Sequence, residues 1–70
     1  MNIKVNGKDV NTPVSQLTYD ALCFLARVDP ANNPSATYRL PNGASGVVWP
    51  GNPAQVVEGA KYSVYHTGLS

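Results

Sequence analysis

The stretch Ile3-Lys4-Val5-Asn6-Gly7-Lys8-Asp9-Val10 decides how this chain begins to fold. Ile3 and Val5 alternate with Asn2, Lys4 and Asn6, the period of a half-buried strand. Asn6-Gly7 then supplies two residues that accept positive φ, as a type I′ hairpin turn requires. The returning strand is expected to run from about Lys8 to Val14, with Val10 and Val14 on the face of Ile3 and Val5, and Pro13 restricts its end to an edge or a bend. A two-stranded ribbon therefore opens the fold.

Downstream of the ribbon, Thr18 is a good helix N-cap. Asp20 falls in the first turn, where the helix dipole favours a negative charge, and Leu17 is placed to staple onto Leu22. Tyr19, Leu22, Leu25 and Ala26 form one apolar stripe flanked by Cys23, with Asp20 and Arg27 lying away from it. Asp29-Pro30 is expected to end the helix after about ten residues, roughly 15 Å. The two prolines and two asparagines of 30–35 read as an irregular loop. Ala36, Tyr38 and Leu40 alternate with Thr37 and Arg39 to give a third strand, closed by Pro41-Asn42-Gly43. Gly46 to Trp49 is a short fourth candidate before Pro50-Gly51, a pair suited to the centre of a type II turn. The last strand is Lys61-Tyr62-Ser63-Val64-Tyr65-His66, with Tyr62 and Val64 on its core face.

The order ββαβ(β)β calls for an α+β layer pair in which a mixed sheet of four to five strands packs on one central helix. In the β-grasp version of this order the first and last strands pair in parallel at the sheet centre, which suits their apolar positions. The expected organisation is a single β-grasp domain over residues 1–66 and a short tail at 67–70.

Composition narrows the function classes. Seventy residues leave room for one small core, and charged residues make up 13% of the chain, about half the usual share. Five basic residues against four acidic ones give a net charge of +1, so no field favours nucleic acid or an anionic membrane. The single cysteine, Cys23, excludes an internal disulfide and fits a reducing, cytoplasmic setting. The N-terminus lacks the apolar run of a signal peptide, and no 18-residue apolar segment occurs. One histidine, one cysteine and four scattered acids give no metal-ligand spacing. They also give no nucleophile with its base and orienting group, so the expected protein is not an enzyme and binds no metal or cofactor of its own.

Several short runs together resemble a known family. They are the Val5-Asn6-Gly7-Lys8 hairpin, the Leu17-Thr18-Tyr19-Asp20 helix start, the Ala36-Thr37-Tyr38-Arg39 strand, Trp49-Pro50-Gly51, and the ending Val57-Glu58-Gly59-Ala60-Lys61-Tyr62-Ser63-Val64 with Thr67-Gly68. Over nearly the whole chain they look like the bacterial ubiquitin-like modifiers, the multiubiquitin-type domains and their short single-domain relatives. The resemblance implies a ubiquitin-like β-grasp fold and partners comprising an E1-like activating enzyme, an E2-like conjugating enzyme, a JAB-type peptidase and target proteins. It also implies that the partner enzyme uses ATP to adenylate the modifier's C-terminal carboxylate, and it carries an association with phage defence.

The tail departs from ubiquitin, because Thr67-Gly68-Leu69-Ser70 has one glycine and no terminal Gly-Gly. Glycine suits such a tail because a missing Cβ lets an enzyme channel approach the backbone closely. Three readings stay open: a peptidase removes Leu69 and Ser70 so that Gly68 is activated, the Ser70 carboxylate is activated directly, or the domain works without conjugation. A noncovalent binding module that docks partners through a strand edge or sheet face is the alternative from another class. A sulfur carrier is a third, weakened by the missing Gly-Gly.

For partner contact, the sheet face away from the helix is expected to carry Lys4, Thr37 or Arg39, Ser63 and Tyr65, with His66 and Trp49 nearby. Arg39, Trp49, Tyr65 and His66 are its candidate binding residues, since tyrosine, tryptophan and arginine are the types enriched in binding hot spots. Trp49 is expected to be partly buried at its strand end, Cys23 to be a buried core thiol, and Tyr62 and Val64 to belong to the core. The free chain is expected to be a monomer.

Overall fold

At Asn6 and Gly7 the backbone takes φ of 51° and 82°, the left-handed pair of a type I′ turn. It joins β1 (Asn2–Val5) to β2 (Lys8–Asn11) as an antiparallel hairpin with Val5 opposite Lys8 and Ile3 opposite Val10. This computed structural model describes residues 1–65. The returning strand is shorter than expected. Beyond Asn11, Pro13 has no N–H to give the ladder, and the Val14 N–H turns back onto Thr12 Oγ1 at 3.3 Å. Val14 is consequently 42% exposed and does not share the core face of Ile3 and Val5.

Two residues, Gln16–Leu17, form β3 before the helix α1 (Tyr19–Ala26). Thr18 caps the helix as its sequence predicts, its Oγ1 accepting from the Ala21 N–H at 3.1 Å. The helix stops at eight residues, short of Asp29-Pro30. Arg27 turns left-handed at φ 59°, its N–H reaches Phe24 O at 3.1 Å, and the Val28 N–H reaches Cys23 O at 2.9 Å. That pair of bonds is a Schellman closure, usually built on glycine and here built on arginine. The loop expected at 30–35 contains one 3₁₀ turn, Pro30–Asn32. Asp29 caps it by accepting from the Ala31 N–H at 2.9 Å, Pro30 fits the first position, and Asn33 ends it at φ 52°.

The remaining strands are β4 (Ser35–Arg39), β5 (Ser45–Val48), β6 (Ala54–Gln55) and β7 (Lys61–Tyr65). Among the described residues five strands form one mixed sheet in the order β2-β1-β7-β4-β5, with β1 and β7 parallel and every other neighbour antiparallel. A second, two-stranded sheet pairs β3 with β6, Leu17 opposite Ala54. Neither β3 nor β6 is announced by the sequence. Two residues are too few to show alternation, and their pairing is fixed by tertiary contacts, the Val56 N–H on Ser15 O at 2.9 Å and the Tyr62 hydroxyl on Gln55 O at 2.7 Å.

The core lies between the helix and one face of the large sheet. Ile3, Val5, Ala36, Tyr62 and Val64 from the sheet meet Tyr19, Leu22 and Cys23 from the helix, and Leu17, Val48, Ala54, Val56 and Ala60 complete it. Burying each large apolar side chain is worth roughly 1.5–3 kcal/mol, which is what holds a helix too short to persist alone. Cys23 is fully buried within the stripe, while Leu25 and Ala26 are half-buried at its margin. The described residues contain no helix long and apolar enough to cross a membrane.

Candidate functional site

With α1 on one face of the sheet, strand alternation puts every second residue on the other. Register aligns these residues in rows. One row runs Asp9, Lys4, Lys61, Arg39, Ser45 across β2, β1, β7, β4 and β5. The next carries Ser63, Thr37 and Val47, and the third pairs Tyr65 with Ser35. Extending the β4–β5 register one step past Ala36 and Val48 brings Trp49 beside Ser35, so two aromatic residues flank one serine. Strand neighbours are about 4.8 Å apart and rows about 6.7 Å apart, which places the basic row about 13 Å from the aromatic one.

The basic row is electrostatically uneven. Lys4 Nζ bonds Asp9 Oδ1 at 2.8 Å, an exposed pair, whereas Lys61 and Arg39 lie directly opposite each other with no acidic partner among the described residues. Like charges opposed across strands cost roughly 0.2–1 kcal/mol, so folding gains nothing from this arrangement. The described acids are occupied elsewhere. Asp29 caps the 3₁₀ turn, Glu58 Oε1 accepts from the Asn2 N–H at 3.0 Å, and Asp20 sits in the first turn of α1. Arg39 and Lys61 border a shallow depression of about 550 Å³ into which Thr37, Ser45 and Ser63 also face, a surface rich in donors and suited to carboxylate.

The aromatic row is more open than its sequence suggests. Trp49 is 61% exposed and Tyr65 58%, with Val47 half-exposed beside them. The partly buried Trp49 expected at the strand end is thus corrected. Trp49 bridges to Asn52 across the Pro50-Gly51 turn, with the Asn52 N–H on Trp49 O at 3.0 Å and Gly51 at φ 82°, and this turn holds the indole outside the core. Arg39, Trp49 and Tyr65 therefore share one face but occupy its two ends. His66, Gly68, Leu69 and Ser70 lie outside the described residues.

One exposed apolar residue, Phe24, is left out of the sequence reading of the helix stripe. Phe24 is 82% exposed on the outer side of α1, because Tyr19, Leu22 and Cys23 already fill the inward arc. At about 100° per residue Phe24 lies opposite the stripe, which is the signal the sequence holds for it.

The buried titratable groups belong to the core. Desolvation raises the Tyr19 hydroxyl above the ordinary tyrosine value, with Cys23 adding to it, and that hydroxyl donates to Pro34 O. Burial likewise pushes the Cys23 thiol up, opposed by a hydrogen bond with Tyr19, so the nucleophilic thiolate is suppressed. Tyr62 is raised by burial and partly lowered by a hydrogen bond from the Val57 backbone. Among the described residues no three His, Cys, Asp or Glu side chains gather to hold a metal ion.

No family model, curated protein or solved structure matches this chain.

Proposed function

We propose that this chain is a ubiquitin-like β-grasp protein modifier of the bacterial type. In this reading an E1-like enzyme uses ATP to adenylate its C-terminal carboxylate, releasing pyrophosphate. The acyl group passes to an enzyme nucleophile with loss of AMP, and an E2-like enzyme delivers it to a target nucleophile. A JAB-type peptidase exposes Gly68, or the Ser70 carboxylate serves directly. The modifier itself supplies no catalytic group; in this reading it acts in the cytoplasm and its gene belongs to a phage-defence operon.

One observation carries the reading. The last described strand, β7, is an interior strand parallel to β1, and it ends at Tyr65, in the row that also carries Trp49 on the open face. An enzyme docking on that end of the face would meet the exposed Tyr65 and Trp49, and rigid aromatic side chains supply contact area at small entropic cost. Intact and tryptic mass spectrometry of the protein isolated from its native host tests it. Gly68 or Ser70 joined to other proteins is the expected result; unmodified chain under active conditions defeats conjugation.

Arg39 and Lys61, which have no acidic partner among the described residues, favour a second reading, a noncovalent binding module. Binding by that surface would survive deletion of residues 68–70, whereas conjugation would not.

A further inference from the structure

Two asparagines of the chain are followed by glycine, Asn6 by Gly7 and Asn42 by Gly43, and both dyads sit exposed in turns. Glycine has no Cβ to shield its amide nitrogen, so that nitrogen can reach the side-chain carbonyl carbon of the asparagine before it. Asn33 and Asn52 are followed by proline, whose nitrogen has no proton to give up. The sequence thus marks two places alike for attack by the backbone on a side-chain amide, and the fold separates them.

At Asn6 both ends of the amide are committed, Oδ1 and Nδ2 each bonding the backbone of Val64. Swinging Cγ onto the Gly7 nitrogen would break both bonds and open the junction of β1 with β7. At Asn42 only Oδ1 is engaged, accepting from the Ala44 N–H at 2.9 Å, and Nδ2 has no partner among the described residues. A donor on Oδ1 draws electron density from Cγ, the atom that a nucleophile attacks. The Gly43 N–H is held by one turn bond, to Leu40 O at 3.0 Å, and open space lies where a Gly43 Cβ would stand. Gly43 also lines, with Arg39 and Lys61, a depression of about 310 Å³. Cations beside the turn favour loss of the Gly43 amide proton and the negative charge that follows.

We propose that Asn42-Gly43 is a site of spontaneous covalent change, where Asn42 becomes a mixture of aspartate and isoaspartate while Asn6 is protected, and that the new carboxylate gives Arg39 and Lys61 the acidic partner they lack among the described residues. Solvent base removes the Gly43 amide proton, and the nitrogen bonds to Asn42 Cγ. The side-chain nitrogen takes a proton from water and leaves as ammonia, closing a succinimide ring. Water then adds to either ring carbonyl carbon and displaces the Gly43 nitrogen from it. Opening at Cγ restores the ordinary backbone with an aspartate; opening at the backbone carbonyl leaves an isoaspartyl link. An aspartate can still accept from the Ala44 N–H, so the turn tolerates it. Aged molecules would then carry a partly neutralised basic end on the open face. The change needs no conjugation, so this test and the search for conjugates fail separately.

The full chain is incubated in neutral buffer at physiological temperature and digested with trypsin, which places residues 6 and 42 in separate peptides. Electron-transfer fragmentation tells isoaspartate from aspartate. The expected result is both products at position 42, accumulating about tenfold faster than at position 6. In urea, where Val64 no longer holds Asn6, the two rates should converge. The Arg39→Ala, Lys61→Ala double variant should slow the change at 42 about threefold and leave position 6 unaltered. In Asn42→Asp, NMR should find the new carboxyl titrating below the ordinary aspartate range, and returning to it when both cations are replaced. A rate at 42 no faster than at 6 in the folded chain overturns the proposal, as does aspartate at 42 without isoaspartate, an unchanged rate in the double variant, or a new carboxyl that titrates as an ordinary aspartate.

Discussion

Asn6 makes two hydrogen bonds to the backbone of Val64, its Oδ1 accepting from the Val64 N–H at 2.8 Å and its Nδ2 donating to Val64 O at 3.1 Å. Just before it the β1–β7 ladder runs in ordinary fashion, with the Lys4 N–H on Ala60 O at 3.0 Å and the Asn6 N–H on Tyr62 O at 2.9 Å. Where the backbone of β1 turns away into the hairpin, the Asn6 side chain continues the pairing. Asparagine is therefore suited to this position twice over, as a residue that tolerates left-handed φ and as an amide that mimics a peptide group.

Asn6→Gly keeps the turn and removes both bonds, and is expected to destabilise by about 1–3 kcal/mol in urea unfolding. Asn6→Asp retains an acceptor for the Val64 N–H but sets a carboxylate against Val64 O. It should cost at least as much near neutral pH and recover as the carboxyl is protonated. Equal stability of all three proteins would show that the amide does not carry this junction.

Tyr38 lies across Gly46, its direct neighbour in the β4–β5 ladder: a Cβ built on Gly46 would stand 2.6 Å from the Tyr38 hydroxyl oxygen. Gly46→Ala is expected to cost about 1–3 kcal/mol by displacing the ring. In a Tyr38→Ala background the same change should be neutral or stabilising, because glycine is a poor strand residue once nothing covers it. A double-mutant cycle by chemical denaturation checks this, and additive effects would refute it.

Arg27 holds a left-handed conformation that glycine adopts without steric cost. Arg27→Gly should raise stability by about 0.5–1 kcal/mol, the relief of strain exceeding the extra freedom glycine gives the unfolded chain. Arg27→Ala keeps the strain and should show no such gain. Thermal unfolding of the three proteins reads the difference directly.

Burial raises the Cys23 thiol above its ordinary 9.0 and the Tyr19 and Tyr62 hydroxyls above their ordinary 10.0. Above those ordinary values the unfolded chain has released protons that the folded chain still binds, so the derivative of unfolding free energy with pH is negative. The contribution of these three groups is full below about pH 9 and is lost as pH rises through their folded values. Urea unfolding at about pH 8, 9, 10 and 10.5 should show stability declining across the last three. In a Cys23→Ala variant the decline should begin later.

Much of the fold was legible because its signals are local. Asn6-Gly7 fixed the first turn, Thr18 the helix start, and the alternation of Ala36-Thr37-Tyr38 and Tyr62-Ser63-Val64 two strands of the sheet. What escaped depends on contacts made far along the chain. Arg27 closes the helix through backbone geometry that no arginine advertises, and the pairing of Gln16–Leu17 with Ala54–Gln55 exists only once both segments are docked. The sequence puts Lys4, Thr37 or Arg39, Ser63 and Tyr65 on the open face, and the register sets both Thr37 and Arg39 there. Its division into a basic and an aromatic end was not readable, since it follows from the register of strands as distant in sequence as β1 and β7.

The interior position of β7 also sets an order of events during synthesis. The β1–β2 hairpin and the β4–β5 pair can form as soon as their own residues are free, but each then ends in an unpaired strand facing the gap that β7 fills. Because β7 is made last of the described strands, the nascent protein carries two half-sheets that cannot join until residue 65 leaves the ribosome. A pause in translation shortly before that point would prolong the exposure of two open edges, β1 and β4, to neighbouring chains.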